Sequence, residues 1–434
     1  MRTRPLFGLL LSFSLTLLWL IAPTVAAQDA PSINFIEVSA RAAFPETIDF
    51  TLEATTNVEI VEVQLFWRAS GSSAFTLAEP EFTGDETIRS GYQANMSVRY
   101  LPPGLDIEYF WRVTDFNGNV HESEPATIFY IDERFEWQSI DGGLLSVWWY
   151  DGSEDYARDI LSSANSTLIQ LDEQYGLQAV ETIRIIVYAN GRDFGNAMPP
   201  NSADWIGGVA YSALNHIVAQ IAPGSGAARE TSRMIPHEVS HIVVHQASRN
   251  PYNSPPPWLD EGLATYVQVT GDERLSPILD RAVRDGRLIP LGALKSSFPL
   301  EPDQALLAYA ESVSVVAYLV ETYGRARVGE LISVYREEVS HDRAVESVLG
   351  ITIDELDSQW KQSLGYQGDR PPDSEGAGVS VSALLGGGTV ILLAAAVAVG
   401  TVIVALWKTR TYGENDGEDL TDGGAEQQAE VPQP

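Results

Sequence analysis

The chain reads as multi-domain: an N-terminal all-β sandwich, then an α+β domain, then one C-terminal transmembrane helix. Three observations predict this. Short alternating apolar runs separated by turn residues fill about 31–134. From about 150 onward the apolar spacing becomes helical, with a few β-branched runs between. Near the end, Ala383–Trp407 carries no charge and is long enough to cross a bilayer as one helix.

The elements follow in order. Met1-Arg2-Thr3-Arg4, an apolar run from Leu6 to Ile21, and Val25-Ala26-Ala27-Gln28 describe an export signal over 1–27, cut after Ala27 or retained as an anchor. Within 31–134 the expected strands include Ile48–Leu52, Ile60–Trp67, Ser97–Tyr100, Ile107–Val113 and Thr127–Tyr130. Pro102-Pro103-Gly104 and Asn117-Gly118-Asn119 are turns between them. Tyr109–Val113 followed by Asp115-Phe116-Asn117-Gly118-Asn119 resembles the end of an immunoglobulin-like or fibronectin-type module. Such a module is expected to be a spacer or to meet a protein or glycan partner.

Over 135–366 a helix is expected from Ser153 to Tyr175. Ile160, Ala164, Leu168, Leu171 and Tyr175 keep helical spacing, Ser153 can cap it and Gly176 can end it. Strands are expected at Thr182–Ala189 and His216–Ile221, and helices from about 229 to 366. Residues 367–382 form a Gly, Pro, Ser and acid-rich linker, 383–407 the transmembrane helix, and 408–434 a disordered acidic tail. Lys408 and Arg410 directly after the apolar run place that tail in the cytoplasm and the body outside the cell membrane.

Composition narrows the function. The formal charge of −32 over 434 residues excludes nucleic acid as an expected partner, because phosphate binding needs basic patches. With no cysteine there are no disulfides, and a core of this size does not need them.

The chemistry lies in His237-Glu238-Val239-Ser240-His241. Imidazoles four residues apart share one helix face and can reach one metal ion, with Glu238 beside the first. Zinc suits such ligands, and a catalytic site takes three protein ligands plus water. Pro236 is expected within the first turn of that helix, with Thr231 or Ser232 as cap. One ligand is then missing. A histidine six residues after His241 is ruled out, since that position is Ala247. A glutamate on a following helix fits: Trp258-Leu259-Asp260-Glu261-Gly262 comes after a proline-rich reversal, with Pro257 as a first helical residue.

These two segments together resemble the gluzincin metallopeptidases, the aminopeptidase-like "peptidase MA" group, over about 150–366. The resemblance implies a zincin-type, thermolysin-like fold, Zn²⁺ held by His237, His241 and Glu261, and Glu238 as general base for peptide-bond hydrolysis. Tyr309-Ala310-Glu311-Ser312 looks like the family's Tyr-x-Lys-Gly segment, which implies that Tyr309 donates to the developing oxyanion. Glu311 and Ser312 stand where the family has Lys and Gly. The family's Gly-x-Met-x-Asn strand, which holds a free α-amine, is not found in Gly207–Asn215, so endo- against exo-cleavage stays open. Gly207–Ile221 could still pair with an extended substrate by strand addition. His245 is expected in packing or behind the ligands, Asp260 could orient a histidine, and His121, His216 and His341 lie in no motif. Two other functions fit the same residues: a catalytically silent surface binding protein with a structural metal, and a zinc hydrolase of non-peptide substrates.

Overall fold

The structure, a computed structural model, describes residues 32–199, 202 and 207–368. The export signal, the apolar run 383–407, the acidic tail and all of the linker beyond Gly368 lie outside the described residues. Among the described residues one helix, Pro302–Tyr323, is long and apolar enough to cross a membrane, but it packs in the core.

The N-terminal part is a pair of antiparallel sheets. Nine strands build it: β1 (Ile33–Ala43), β2 (Thr47–Thr56), β3 (Ile60–Ala69), β4 (Thr76–Ala78), β5 (Phe82–Thr83), β6 (Thr87–Asn95), β7 (Leu105–Asp115), β8 (Val120–Glu122) and β9 (Ala126–Tyr130). One sheet runs β1-β2-β6-β5 and the other β4-β3-β7-β8, with β9 beside β8 on the same edge of β7. Strict alternation does the work. In β7, Leu105, Ile107, Tyr109, Trp111 and Val113 all point inward, and in β2 so do Ile48, Phe50, Leu52 and Ala54. These faces meet with Leu65, Trp67 and Ile88 in a shared core.

One expected strand is not a strand. Residues 96–100 turn, and the pairing strand is β6, just upstream. The Asn95 side chain accepts from Ser97 N (2.9 Å) and its carbonyl from Arg99 N (3.4 Å), a local turn that leaves Val98 exposed. β-propensity at Val98 and Tyr100 lost to this side-chain bond.

The second part is a five-stranded sheet with helices. The strands are β10 (Gln138–Gly142), β11 (Leu145–Trp149), β12 (Ile183–Tyr188), β13 (Gly208–Tyr211) and β14 (His216–Gln220), in the order β10-β11-β12-β14-β13. β11, β12 and β14 are parallel; β10 and β13 are antiparallel edges. The helices are α1 (Glu154–Tyr175), α2 (Gly191–Ala197), α3 (Ala227–Ser248), α4 (Pro257–Tyr266), α5 (Leu275–Asp285), α6 (Pro302–Tyr323), α7 (Arg325–Ser333), α8 (His341–Leu349) and α9 (Ile353–Ser363). α1 starts where Ser153 Oγ caps Tyr156 N and ends at left-handed Gly176, both local signals. Its buried stripe and that of α3 pack on the sheet through Ile160, Ala164, Leu171, Val239, Ile242 and Val243.

α3 begins earlier than its sequence signals imply. It starts after Gly226, so Thr231 and Ser232 are inside it and Pro236 is interior. A proline there frees the carbonyl four residues back, that of Ser232. Val269 N donates to that oxygen at 3.1 Å and Thr270 N at 3.5 Å. A segment well downstream therefore satisfies the freed group, and the helix continues unbroken.

The two parts share a polar seam. The Arg184 guanidinium on β12 donates to Gly104 O (2.5 Å), pairs with Asp106 (2.9 Å) and covers the rings of Phe129 and Trp148. His216 Nε2 donates to Pro103 O at 2.6 Å and is 1% exposed, so this motif-free histidine is an anchor between the parts. Gly104, at φ +87°, lets the chain approach Ile186; a Cβ there would lie 2.4 Å from Ile186 Cδ1.

Candidate metal centre

α3 presents His237 and His241 on one face, one turn apart and fully buried, their rings 4.8 Å apart. α4 then returns antiparallel-fashion past the proline-rich loop and brings Glu261 against both. Glu261 Oε2 lies 3.3 Å from His237 Nε2 and 3.4 Å from His241 Nε2. Gly262 allows this close approach of α4 to α6: a Cβ there would meet Ser312 O at 2.5 Å. Ser312 keeps its own hydroxyl occupied on Ala308 O at 2.6 Å.

The donor set fits a metal ion. His237 Nε2, His241 Nε2 and Glu261 Oε2 are all buried and none has a hydrogen-bond partner. Ligand atoms about 2.0–2.1 Å from one tetrahedral ion stand about 3.4 Å apart, which is the separation of each imidazole nitrogen from the carboxylate oxygen. The far nitrogens are held from behind. His241 Nδ1 donates to Asp260 Oδ1 at 3.0 Å. His237 Nδ1 lies 2.8 Å from Gln268 Nε2, while Gln268 Oε1 is buried and unpartnered. With the amide oxygen turned onto Nδ1–H, both partners are satisfied. Protons fixed on both Nδ1 atoms leave lone pairs on both Nε2 atoms, aimed at a carboxylate oxygen; a cation reconciles them.

The three groups are coupled electrostatically, and a bound cation would displace the proton that the carboxylates otherwise draw to His241. Burial pushes His237 down and keeps it neutral. Burial also opposes charge on His241, but Asp260 and Glu261 outweigh it and hold its pKa well above the ordinary value. Burial raises Glu261, yet the two histidines overcome this and hold it at about 2, ionised.

Glu238 is fully buried on the same helix, with both carboxylate oxygens unpartnered. Desolvation pushes its pKa up to about 8, against a smaller pull from His241. The β13 edge passes over it: Gly208 leaves room for the carboxylate, since a Cβ would lie 2.7 Å from Glu238 Oε1. Tyr309 on α6 is buried, and its phenol hydrogen-bonds with Glu261; desolvation, then the charges of Glu261 and Glu238, raise its pKa. So the structure brings all five sequence-derived residues to one place. Glu311 is elsewhere, its Oε1 accepting from Ile289 N at 2.9 Å. His245 is half-buried further along α3, and His341 contacts the Tyr335 hydroxyl (3.1 Å). His121 lies in the β-sandwich part, 3.6 Å from Asp115. Gln268 and Gly208 were not singled out from sequence: a lone glutamine past a helix end and a glycine in an edge strand carry no spacing signal.

Residues 163–366 match the family model of the Peptidase MA superfamily, which supports a peptidase-MA-type domain there. No curated protein matches the chain. Solved structures with some likeness include a Br derivative of BhCBM56 (10% identity, 22% of this chain and 91% of that one, TM-score 0.17). Another is OgpA from Akkermansia muciniphila (8% identity, 25% and 30%, TM-score 0.20). A third is a carbohydrate-binding module family 56 β-1,3-glucan binding domain (15% identity, 22% and 98%, TM-score 0.15). Overlaps this slight bear on neither fold nor function.

Proposed function

We propose that the chain is a zinc-dependent metallopeptidase of gluzincin type, carried outward on the cell membrane by the 383–407 segment. The observation that carries the reading is the convergence of His237 Nε2, His241 Nε2 and Glu261 Oε2, buried and unpartnered, beside an equally unpartnered Glu238. These three atoms would hold Zn²⁺, which when bound supplies a Lewis acid that acidifies water and polarises a carbonyl.

The chain's own groups do the rest. Glu238 takes a proton from the attacking water and passes it to the leaving amine nitrogen, breaking the peptide C–N bond. Burial suits it to both halves, because a desolvated carboxylate is a stronger base than one in water. Asp260 and Gln268 fix the two imidazole tautomers, so no proton competes for the ligand nitrogens. Tyr309 stands against Glu261, where its hydroxyl can donate to the carbonyl oxygen as charge builds; one such donor is worth about 3–4 kcal/mol. An intact buried base beside the ligands favours catalysis over a structural metal, which has no use for one.

The test is a defined peptide mixture incubated with the full chain, with zinc quantified in the same sample. Cleavage lost on chelation and restored by zinc supports the reading, and the cut sites report end-specificity. Stoichiometric zinc with every peptide intact would turn the assignment toward a non-peptide substrate or a binding protein.

A further inference from the structure

The N-terminal sandwich reaches the candidate site. Tyr100, just after the 96–100 turn, donates its hydroxyl to Ala197 O at 2.8 Å, at the end of α2. The Tyr100 hydroxyl oxygen in turn accepts from the Tyr211 hydroxyl at 3.2 Å, at the end of β13, and the two rings lie 6.1 Å apart. Tyr100 therefore ties together two elements of the second part that flank the edge of its sheet. Tyr211 is the neighbour of Ala210, whose backbone N–H faces the Glu238 carboxylate without closing a hydrogen bond to it, and Tyr211 itself feels that charge.

Among the described residues β13 is an edge strand, paired with β14 on one side only. Gln220 N donates to Gly207 O at 2.7 Å, so Gly207 turns its carbonyl toward β14. By alternation, Gly208 and Ala210 direct their backbone groups to the open edge, where Glu238 lies. Among the described residues no strand pairs with that open edge, and the strand ends at Tyr211. Tyr100 holds that end, with its own segment held by the Pro103 O to His216 bond and the Gly104 O to Arg184 bond.

We propose that Tyr100 is a positioning residue of the active site, contributed by the N-terminal sandwich. Through Tyr211 it fixes the open edge of β13 over Glu238, and with it the seat of the substrate backbone. The sandwich is then a working part of the enzyme and not a spacer. The inference rests on the peptidase reading for its effect on turnover, but its effect on β13 is independent of substrate.

The experiment uses the full chain and three variants: Tyr100→Phe, Tyr211→Phe and the double variant. Phenylalanine keeps the ring packing and removes only the hydroxyls. kcat and KM on a cleaved peptide, the melting temperature, and amide hydrogen exchange over 207–211 are measured for each. Tyr100→Phe should lower kcat/KM about three- to tenfold, the worth of one hydrogen bond, with the melting temperature unchanged. Exchange over 207–211 should quicken, and the double variant should be no worse than the poorer single one. Unchanged kcat/KM together with unchanged exchange, or a fall in melting temperature with kcat/KM intact, would overturn it. If the parent chain cleaves no peptide, the peptidase reading fails by itself. Exchange over 207–211 then decides: faster in Tyr100→Phe supports the positioning role, unaltered exchange refutes it.

Discussion

Gly208→Ala isolates the placement of Glu238 from every other property of the site. A Cβ at 208 would lie 2.7 Å from Glu238 Oε1, 3.1 Å from Met234 Sδ and 3.2 Å from Glu238 Cδ. Ordinary contact begins at 3.4 Å, so the carboxylate must retreat by about 0.7 Å (3.4 − 2.7). Misplacing a reacting group by about 1 Å can cost about 10²-fold, so kcat should fall about 10- to 100-fold, or roughly 1.4–2.7 kcal/mol of barrier. Stability should hardly move. The atoms met first belong to side-chain ends that can turn, and alanine lowers the entropy of the unfolded chain, an offset of about 0.4–1 kcal/mol. Zinc content should stay at the parental level, because Gly208 touches no ligand atom. The assay is kcat on one peptide with zinc and melting temperature measured alongside. Gly195→Ala is the control, with nothing within 4 Å of its added carbon. Parental kcat in Gly208→Ala would refute the claim that Glu238 acts from its present position.

Two further outcomes follow. Asp260→Asn and Gln268→Ala should each weaken zinc about 10- to 100-fold in chelator competition, since each releases the proton-bearing side of a ligand imidazole; parental affinity in both would show that the ligands need no support. His216 is buried with its pKa pushed down by desolvation to about 3, against 6.5 for the ordinary group. The unfolded chain therefore binds a proton that the folded chain refuses, and stability falls as pH drops from 6.5 toward 3. The loss is about 2 kcal/mol between pH 6.5 and 5. His216→Gln should flatten that part of a denaturant-melt pH series, and an unchanged slope would remove His216 as its source.

What could be read from sequence was what is local. Ser153 and Gly176 bracket α1 because caps act within a turn. The His237 and His241 spacing, and the Trp258–Gly262 segment after a proline-rich reversal, place three candidate ligands by helix geometry and one short loop. What needed distant partners was misread or missed. Pro236 looked like a helix start because its freed Ser232 carbonyl is satisfied from Val269. Residues 97–100 looked like a strand until Asn95 turned them, and that turn delivers Tyr100 to the other part of the chain. His216 belongs to no motif, yet it meets Pro103 across the seam. Gln268 supports His237 across the gap between α4 and α3.

The central claim is that Glu238 is the base beside a zinc held by its neighbours. Glu238→Gln removes the carboxylate's basicity and little else, for Glu238 Oε1 and Oε2 make no hydrogen bond that the amide would break. Turnover of a cleaved peptide, measured on samples of known zinc content, is the direct test. The account predicts parental zinc and a loss of kcat of at least about 10³-fold, in the range that general acid–base catalysis supplies. Full activity in Glu238→Gln at parental zinc would contradict it.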